Sequence, residues 1–288
     1  MRISILVLAF NQEQFIESAL LSICNQFSQD ATEIIFIDDC STDLTYEKAK
    51  QILTYRDGII LCKNNENIGL VKNYKKGFSL CQGELIFVLE GDDFWTNSTK
   101  ISHISNLMIS NPDASMCFHE YDLLDQHGNF KRRAVNTDLT KLKFITTRNL
   151  IRDSSIIGNY SVCCYRKSFI DMIPDSFWEN NTNDWGLNML MGTFGKIVYH
   201  PEIMSVYRLH SESSWTGISL IKKYNYILNI IPYYKSILGG DFNREFENLN
   251  LNIRSLQKGL SHYSMFKNRI KQLLRRSKFF KNRNNLTC

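Results

Sequence analysis

The first ninety residues alternate short apolar runs with segments of helical period, and this alternation restricts the possible folds more than any other feature of the chain. Ile3–Phe10 is a continuous apolar run of the buried-strand type, and Glu13–Gln26 follows with Phe15, Ile16, Ala19, Leu20 and Ile23 at helical spacing. Glu33–Asp39 reads as a second strand, Ser41 or Thr42 as the cap of a helix reaching Tyr55, and Ile59–Lys63 as a third strand. A helix over Gly69–Gln82 and a strand over Glu84–Glu90 complete the pattern. Such alternation predicts an α/β fold, a mainly parallel sheet with helices on both faces. Ligands of such sheets bind beyond the carboxyl ends of the strands. The polar residues fall there: Asn11, Asp38-Asp39 and Asp92-Asp93. Past residue 100 the pattern loosens. Helices are expected at Ile101–Ser110 and Asp184–Phe194, and strands at Ser115–Tyr121, Tyr160–Tyr165 and Lys196–Tyr199. The chain turns helical after Trp215, with breaks at Pro232 and Gly239-Gly240.

A chain of 288 residues, 43% hydrophobic and with only 4 prolines, buries a full core, which excludes a disordered or low-complexity protein. No apolar run reaches the ~18–20 residues of a membrane-spanning helix. The first run stops at Asn11-Gln12-Glu13-Gln14 with no small-residue cleavage site, so it reads as a strand and not as a signal peptide. The eight cysteines contain no C-x-x-C pair and sit mostly in apolar company, as reduced thiols do; Cys163-Cys164 reads as two buried strand residues. His103, His119, His127, His200 and His262 show no metal-ligand spacing.

Neither phosphate-cradling loop is present. The first strand is followed by Ala9-Phe10-Asn11-Gln12-Glu13-Gln14, without the glycines of a dinucleotide fingerprint, and no P-loop pattern occurs. A nucleotide must therefore be held by side chains and a metal. Asp92-Asp93 suits that role: adjacent carboxylates repel unless a cation or hydrogen-bond donors offset them, and hard oxygen ligands favour Mg²⁺ or Mn²⁺. A lone Gly-Asp-Asp turn would read as solvated surface, but the second acidic pair, Asp38-Asp39, at a neighbouring strand end favours a nucleotide site.

Three segments, Ile3–Gln26, Ile37-Asp38-Asp39-Cys40-Ser41-Thr42-Asp43 and Glu90-Gly91-Asp92-Asp93-Phe94-Trp95, resemble the family 2 glycosyltransferases. The resemblance continues through Asn183-Asp184-Trp185 and Val206-Tyr207-Arg208-Leu209-His210-Ser211, and so covers roughly residues 1–215. It implies a GT-A fold and transfer of a sugar from a nucleotide-diphosphate donor with inversion. It also implies roles: Phe10 and Asn11 near the nucleoside, Asp39 accepting a hydrogen bond from uracil, Asp92 near the ribose, Asp93 as metal ligand, His210 near the metal and diphosphate, and Asp184 as the general base. Asn183 stands where the family usually has Glu, and Cys40 where Gly is common. An inverting transfer needs one base and no protein nucleophile, which the isolated Asp184 fits. As a residue preceding an apolar helical run, Asp184 also fits a helix cap, and His210 also fits an ordinary surface or core histidine. Trp95 and Trp185 suit sugar stacking or core packing, and Arg208 a phosphate contact or the partner of a carboxylate.

The last 35 residues carry ten Lys/Arg and no Asp/Glu, leaving 24 basic against 29 acidic side chains in the first 253. Phe266, Ile270, Leu273, Leu274 and Phe280 share one helical face with the basic residues mostly off it, which predicts a membrane-surface helix; the aromatics do not interleave as a nucleic-acid platform would. The sequence is thus read as a GT-A domain over 1–215 and a helical, basic extension over 216–288. It is expected to be cytoplasmic, peripheral on the inner face of the membrane, with a nucleotide-sugar donor, a glycan or lipid-linked acceptor, and Mn²⁺ or Mg²⁺. The alternatives are a nucleotidyltransferase, which usually carries a Gly-rich basic loop absent here, and a non-catalytic membrane-surface module on a degenerate transferase fold.

Overall fold

The computed structural model describes residues 1–28, 30–135, 138–142, 144–180, 182–210 and 217–260. Strands β1 (Arg2–Ala9), β2 (Ala31–Asp38), β3 (Ile59–Lys63) and β4 (Leu85–Glu90) pair in parallel in the order β3-β2-β1-β4. The register pairs Ala9 with Asp38 and Leu8 with Glu90, so the carboxyl ends of the three central strands finish at one level. Helices α1 (Ile16–Cys24), α2 (Thr45–Leu53) and α3 (Leu70–Leu80) make the crossovers. Side chains alternate across the sheet. Leu6, Leu8, Ile35, Ile37, Ile86 and Val88 fill the core on one face, and Ile5, Val7, Ile34, Phe36, Phe87 and Leu89 the core on the other.

The sheet then changes direction. Five more strands follow: β5 (Phe94–Trp95), β6 (Ala114–Leu124), β7 (Phe130–Arg132), β8 (Cys163–Arg166) and β9 (Lys196–Arg208). They extend it as β4-β8-β6-β9-β5, with β7 on the edge of β6. Between them lie α4 (Lys100–Ile109), α5 (Thr147–Arg152), α6 (Lys167–Ile170), α7 (Asp175–Trp178) and α8 (Asp184–Phe194). α9 (Leu220–Leu238) and a helix over 243–260 follow. Ile230, Ile231, Tyr234 and Phe246 of this last part are buried in the same core as Trp185 and Leu187 of α8.

Several elements differ from their sequence pattern. Ser41 and Thr42 do not cap α2, which starts at Thr45: the Ser41 hydroxyl accepts the Asn11 N–H and the Asn11 side-chain oxygen accepts the Thr42 N–H. Tyr160–Val162 is one 3₁₀ turn and the strand starts only at Cys163. β9 runs on to Arg208 because it gains β6 and β5 as partners, which no local pattern encodes. α9 continues through Pro232, losing one backbone hydrogen bond, and ends at Gly239, whose φ of +82° suits glycine. Cys163 and Cys164 are buried strand residues as expected, and the described cysteines are free thiols. Among the described residues no helix is long and apolar enough to cross a membrane. The basic stretch from Phe266 to Phe280 lies outside the described residues.

Two glycines mark the contrast between a tight and an open position. A Cβ on Gly83 would lie 2.4 Å from the Ser4 backbone nitrogen, whereas one on Gly259 meets nothing within 4 Å. Gly83→Ala should cost about 1–3 kcal/mol in chemical denaturation, and Gly259→Ala should gain about 0.5–1 kcal/mol through helix propensity.

Candidate active site

The level strand ends open into a cleft of about 680 Å³ whose lining includes Phe10, Asn11, Asp39, Asn73, Asp92 and His210. Two of its loops turn through left-handed backbone: Asn11 at φ +51° and Cys40 at φ +65°. Cys40 thus holds a conformation that glycine adopts without strain. The hydrogen bonds between Asn11 and Ser41-Thr42 tie the two turns together and offset that cost. The Asp39 carboxylate, nearly buried, accepts the Asn64 side-chain amide at 2.8 Å and the N–H groups of Ile68 and Gly69 at 2.9 Å. It thereby fixes the loop before α3 while its Oδ2 accepts a single bond. Phe10 is 44% exposed at the rim.

The two members of the acidic pair sit differently. Asp93 is fully buried: it accepts the Ser161 hydroxyl at 2.6 Å and the Arg208 N–H at 3.1 Å, and it does not line the cleft. Asp92 faces the cleft, with its Oδ2 3.0 Å from His210 Nε2. With one internal hydrogen bond on each oxygen Asp93 fastens the turn, and Asp92 is the member of the pair that lines the cleft. His210 lies 4.8 Å, ring to ring, from Phe15 at the cleft wall. Arg208 fixes the turn from the other side: its guanidinium donates to the Asp92 carbonyl at 2.5 Å and the Ser18 hydroxyl at 2.7 Å, over the Phe94 ring.

A second cleft of about 180 Å³ adjoins the first; Glu90 and Leu70 line both. Asn159, Tyr160, Asp184, Trp185 and Tyr207 are among its other lining residues. Asp184 is the first residue of α8 but not its cap. Asn183 caps the helix by accepting the Gly186 N–H, and Tyr234 donates to the same Asn183 oxygen at 2.9 Å. Capping thus falls to Asn183, and Asp184 lines the smaller cleft. Burial pushes its pKa up to about 6, with backbone N–H groups opposing. Glu90 was not among the residues singled out by sequence, although an acidic side chain two positions before Asp92 at a strand's last position was a signal. Burial raises its carboxyl well above the ordinary range, and the charges of Asp92, Asp93 and Asp184 raise it further. Trp95 is a core residue packed on Phe87, whereas Trp185 is buried, its indole donating to the Leu150 carbonyl, and also forms part of the wall of the smaller cleft.

Glu90, Asp92, Asp93 and Asp184 lie near enough for their charges to act on one another, and His210 stands beside Asp92 in the larger cleft; oxygen-rich surroundings of this kind suit a hard divalent cation. The sequence profile described as Glycosyl transferase family 2 matches residues 4–172. The chain belongs to glycosyl transferase family 2. Among curated relatives, an uncharacterized protein of Mycobacterium tuberculosis is 29% identical over 217 residues, 74% of this chain and 60% of that protein. The chain thus spans about three fifths of that relative's length. TuaG of Bacillus subtilis, a putative glycosyltransferase of teichuronic acid biosynthesis, is 27% identical over 126 residues, 44% of this chain and 49% of that protein. The fold is that of S. aureus TarS in complex with UDP-GlcNAc, with a TM-score of 0.66 at 16% identity over 88% of this chain and 71% of that one. It is also that of the mannosyltransferase PcManGT of Pyrobaculum calidifontis in complex with GDP-Man and Mn²⁺, with a TM-score of 0.62 at 14% identity over 86% and 68%. The GT-A fold expected of the family 2 resemblance is therefore present.

The two aspartates should separate in mutagenesis. Asp92→Asn should weaken Mn²⁺ binding at least tenfold in calorimetry with little change in melting. Asp93→Ala should cost about 1–3 kcal/mol of stability, because it leaves the buried Ser161 hydroxyl and Arg208 N–H without acceptors.

Proposed function

We propose that the protein transfers a sugar from a UDP-sugar, with inversion, to a hydroxyl of a glycan or lipid-linked acceptor in surface polysaccharide synthesis. The observation that carries this reading is the pair of clefts sharing Glu90: a nucleotide-sized one holding Asp39, Asp92 and His210, and a smaller one holding Asp184. The uracil reading rests on Asp39, whose Oδ2 retains acceptor capacity at the cleft floor, and gains support from the UDP-GlcNAc bound by TarS. The polysaccharide reading is supported by the pathway ascribed to TuaG.

In this mechanism the acceptor hydroxyl enters the smaller cleft and gives its proton to Asp184. Its oxygen forms a bond to the anomeric carbon on the face opposite the leaving group, and the bond from that carbon to the diphosphate oxygen breaks. No protein nucleophile takes part. Asp92 and His210 would hold Mn²⁺ or Mg²⁺, which offsets the charge gathering on the departing diphosphate. Arg208 and Ser161 keep the Asp92-Asp93 turn from moving under that charge. A base near pKa 6 is half-charged just below neutrality, where general-base catalysis is efficient.

Asp184→Asn should lower kcat by about 10²–10⁴-fold and leave UDP affinity nearly unchanged. The wild-type kcat/KM should rise with pH through a pKa near 6, the free base being the active form. The stability effect has the opposite sign. A carboxyl raised from 3.8 to about 6 favours the folded state at low pH, and that advantage is lost as pH rises through about 6. Asp184→Asn should therefore melt higher than wild type at pH 7.5, whereas Asn183→Ala, which removes the cap, should melt lower. A normal rate in Asp184→Asn would overturn the base assignment.

The basic tail supports a place at the inner face of the membrane, each Lys/Arg near an anionic leaflet contributing about 1 kcal/mol. A chain ending near His262 should lose co-sedimentation with anionic vesicles yet keep turnover of a soluble acceptor. Full-length vesicle binding should fall steeply with salt.

A further inference from the structure

Two histidines 97 positions apart in sequence meet on the outer surface of the sheet, away from both clefts. His103 projects from α4, and His200 and Glu202 from β9. The Glu202 Oε2 lies 3.7 Å from His103 Nδ1 and 3.5 Å from His200 Nε2, and the three donor atoms all lie within 4.8 Å of one another. These separations are long for hydrogen bonds. The two carboxylate–imidazole distances approach the ~3.3–3.4 Å edge of a tetrahedron whose centre binds imidazole nitrogen and carboxylate oxygen at about 2.0–2.1 Å, and the two imidazole nitrogens, within 4.8 Å of each other, would close on the ion. The other Glu202 oxygen accepts the Asn97 side-chain amide at 2.7 Å, the kind of outer bond that orients a ligating carboxylate.

The fold builds this arrangement. β9 bulges where the β6 register jumps from His119–His200 to Glu120–Ile203, so Pro201 and Glu202 stand without β6 partners. A bulge re-aims side chains, and a proline there forfeits no ladder bond. β5 pairs with β9 next to this bulge and leads through Asn97 into α4, which brings His103 over the strand. The side chains of His103, His200 and Glu202 are 50%, 25% and 49% exposed, open enough for an ion to enter and for water to complete its shell.

We propose that His103, His200 and Glu202 form a zinc site that clips α4 to β9. Two imidazoles and one carboxylate are a donor set for Zn²⁺, whereas Mg²⁺ prefers oxygen ligands alone. The site is separate from Asp92 and His210: the six residues from Glu202 to Arg208 in an extended strand span roughly 20 Å. Sequence spacing hides it because its ligands come from two elements joined only by tertiary contact.

The test uses the full-length chain carrying Asp92→Asn and His210→Ala, so that zinc in the larger cleft does not interfere. Competition with a chromophoric chelator should register one Zn²⁺ at micromolar affinity or tighter. His103→Ala, His200→Ala or Glu202→Gln in that background should each weaken binding at least tenfold and abolish the zinc-dependent rise in melting temperature. X-ray absorption at the zinc edge should give two imidazole nitrogens at about 2.0–2.1 Å. Unchanged affinity in either histidine variant, or no measurable zinc binding once Asp92 and His210 are replaced, would overturn the proposal.

Discussion

The carboxyl end of β4 concentrates negative charge that the rest of the site exists to hold in place. Glu90, Asp92 and Asp93 follow one another within four residues, and Asp184 reaches the same region from α8. Left in a low-dielectric setting, such a group would take up protons or push the turn apart. Two internal partners prevent the second outcome. Ser161 accepts the Glu90 N–H and donates to Asp93, spanning the turn with one hydroxyl. Arg208 takes the Asp92 carbonyl with its side chain and Asp93 with its backbone N–H. Of the adjacent pair, Asp92 is the one left facing the cleft, with Glu90 in the same wall, and its position is a consequence of those bonds.

The two halves of the sheet contribute different parts of the site. The parallel half supplies Asn11, Asp39 and Asp92 on one rim, because its three central strands end at the same level. The mixed half supplies the fastening: Ser161 in the turn that leads into β8, Arg208 at the end of β9, His210 just beyond it. The helices past residue 183 close the second cleft with Asp184, Trp185 and Ile227. Tyr234 of α9 holds the Asn183 cap, and Gly186 admits it, since a Cβ there would lie 2.3 Å from the Tyr234 hydroxyl. Part of what reads in sequence as an extension thus packs against the segment carrying the candidate base.

The parallel half was legible because its evidence is local. Buried strands such as Ile3–Ala9 announce themselves as unbroken apolar runs, and helical period marks the crossovers between them. The polar positions at the strand ends were Asn11, Asp38-Asp39 and Asp92-Asp93; Asn11, Asp39 and Asp92 line the cleft, whereas Asp38 and Asp93 are buried and do not. The mixed half was less legible for the same reason. β9 looked like four residues from Lys196 to Tyr199 because its remaining length depends on partners far away in sequence. Tyr160–Val162 carries strand-like side chains yet forms a turn, which presents Ser161 to Asp93. Asp184 and Asn183 are equally good caps by residue type, and only the geometry of Tyr234 and Gly186 assigns the role to Asn183.

The sequence by itself determined the α/β architecture, the strand ends at which chemistry gathers and the acidic pair that supplies it, since apolar period and strand-end polarity act through neighbours in the chain. Only the tertiary structure decided which aspartate of that pair faces the cleft, that Glu90 walls both clefts, and that His103 stands beside His200. Those outcomes depend on where Ser161, Arg208 and the β9 bulge come to rest. A hydrogen bond or a ligand distance is set by atoms from separate elements, and no spacing along one element records it.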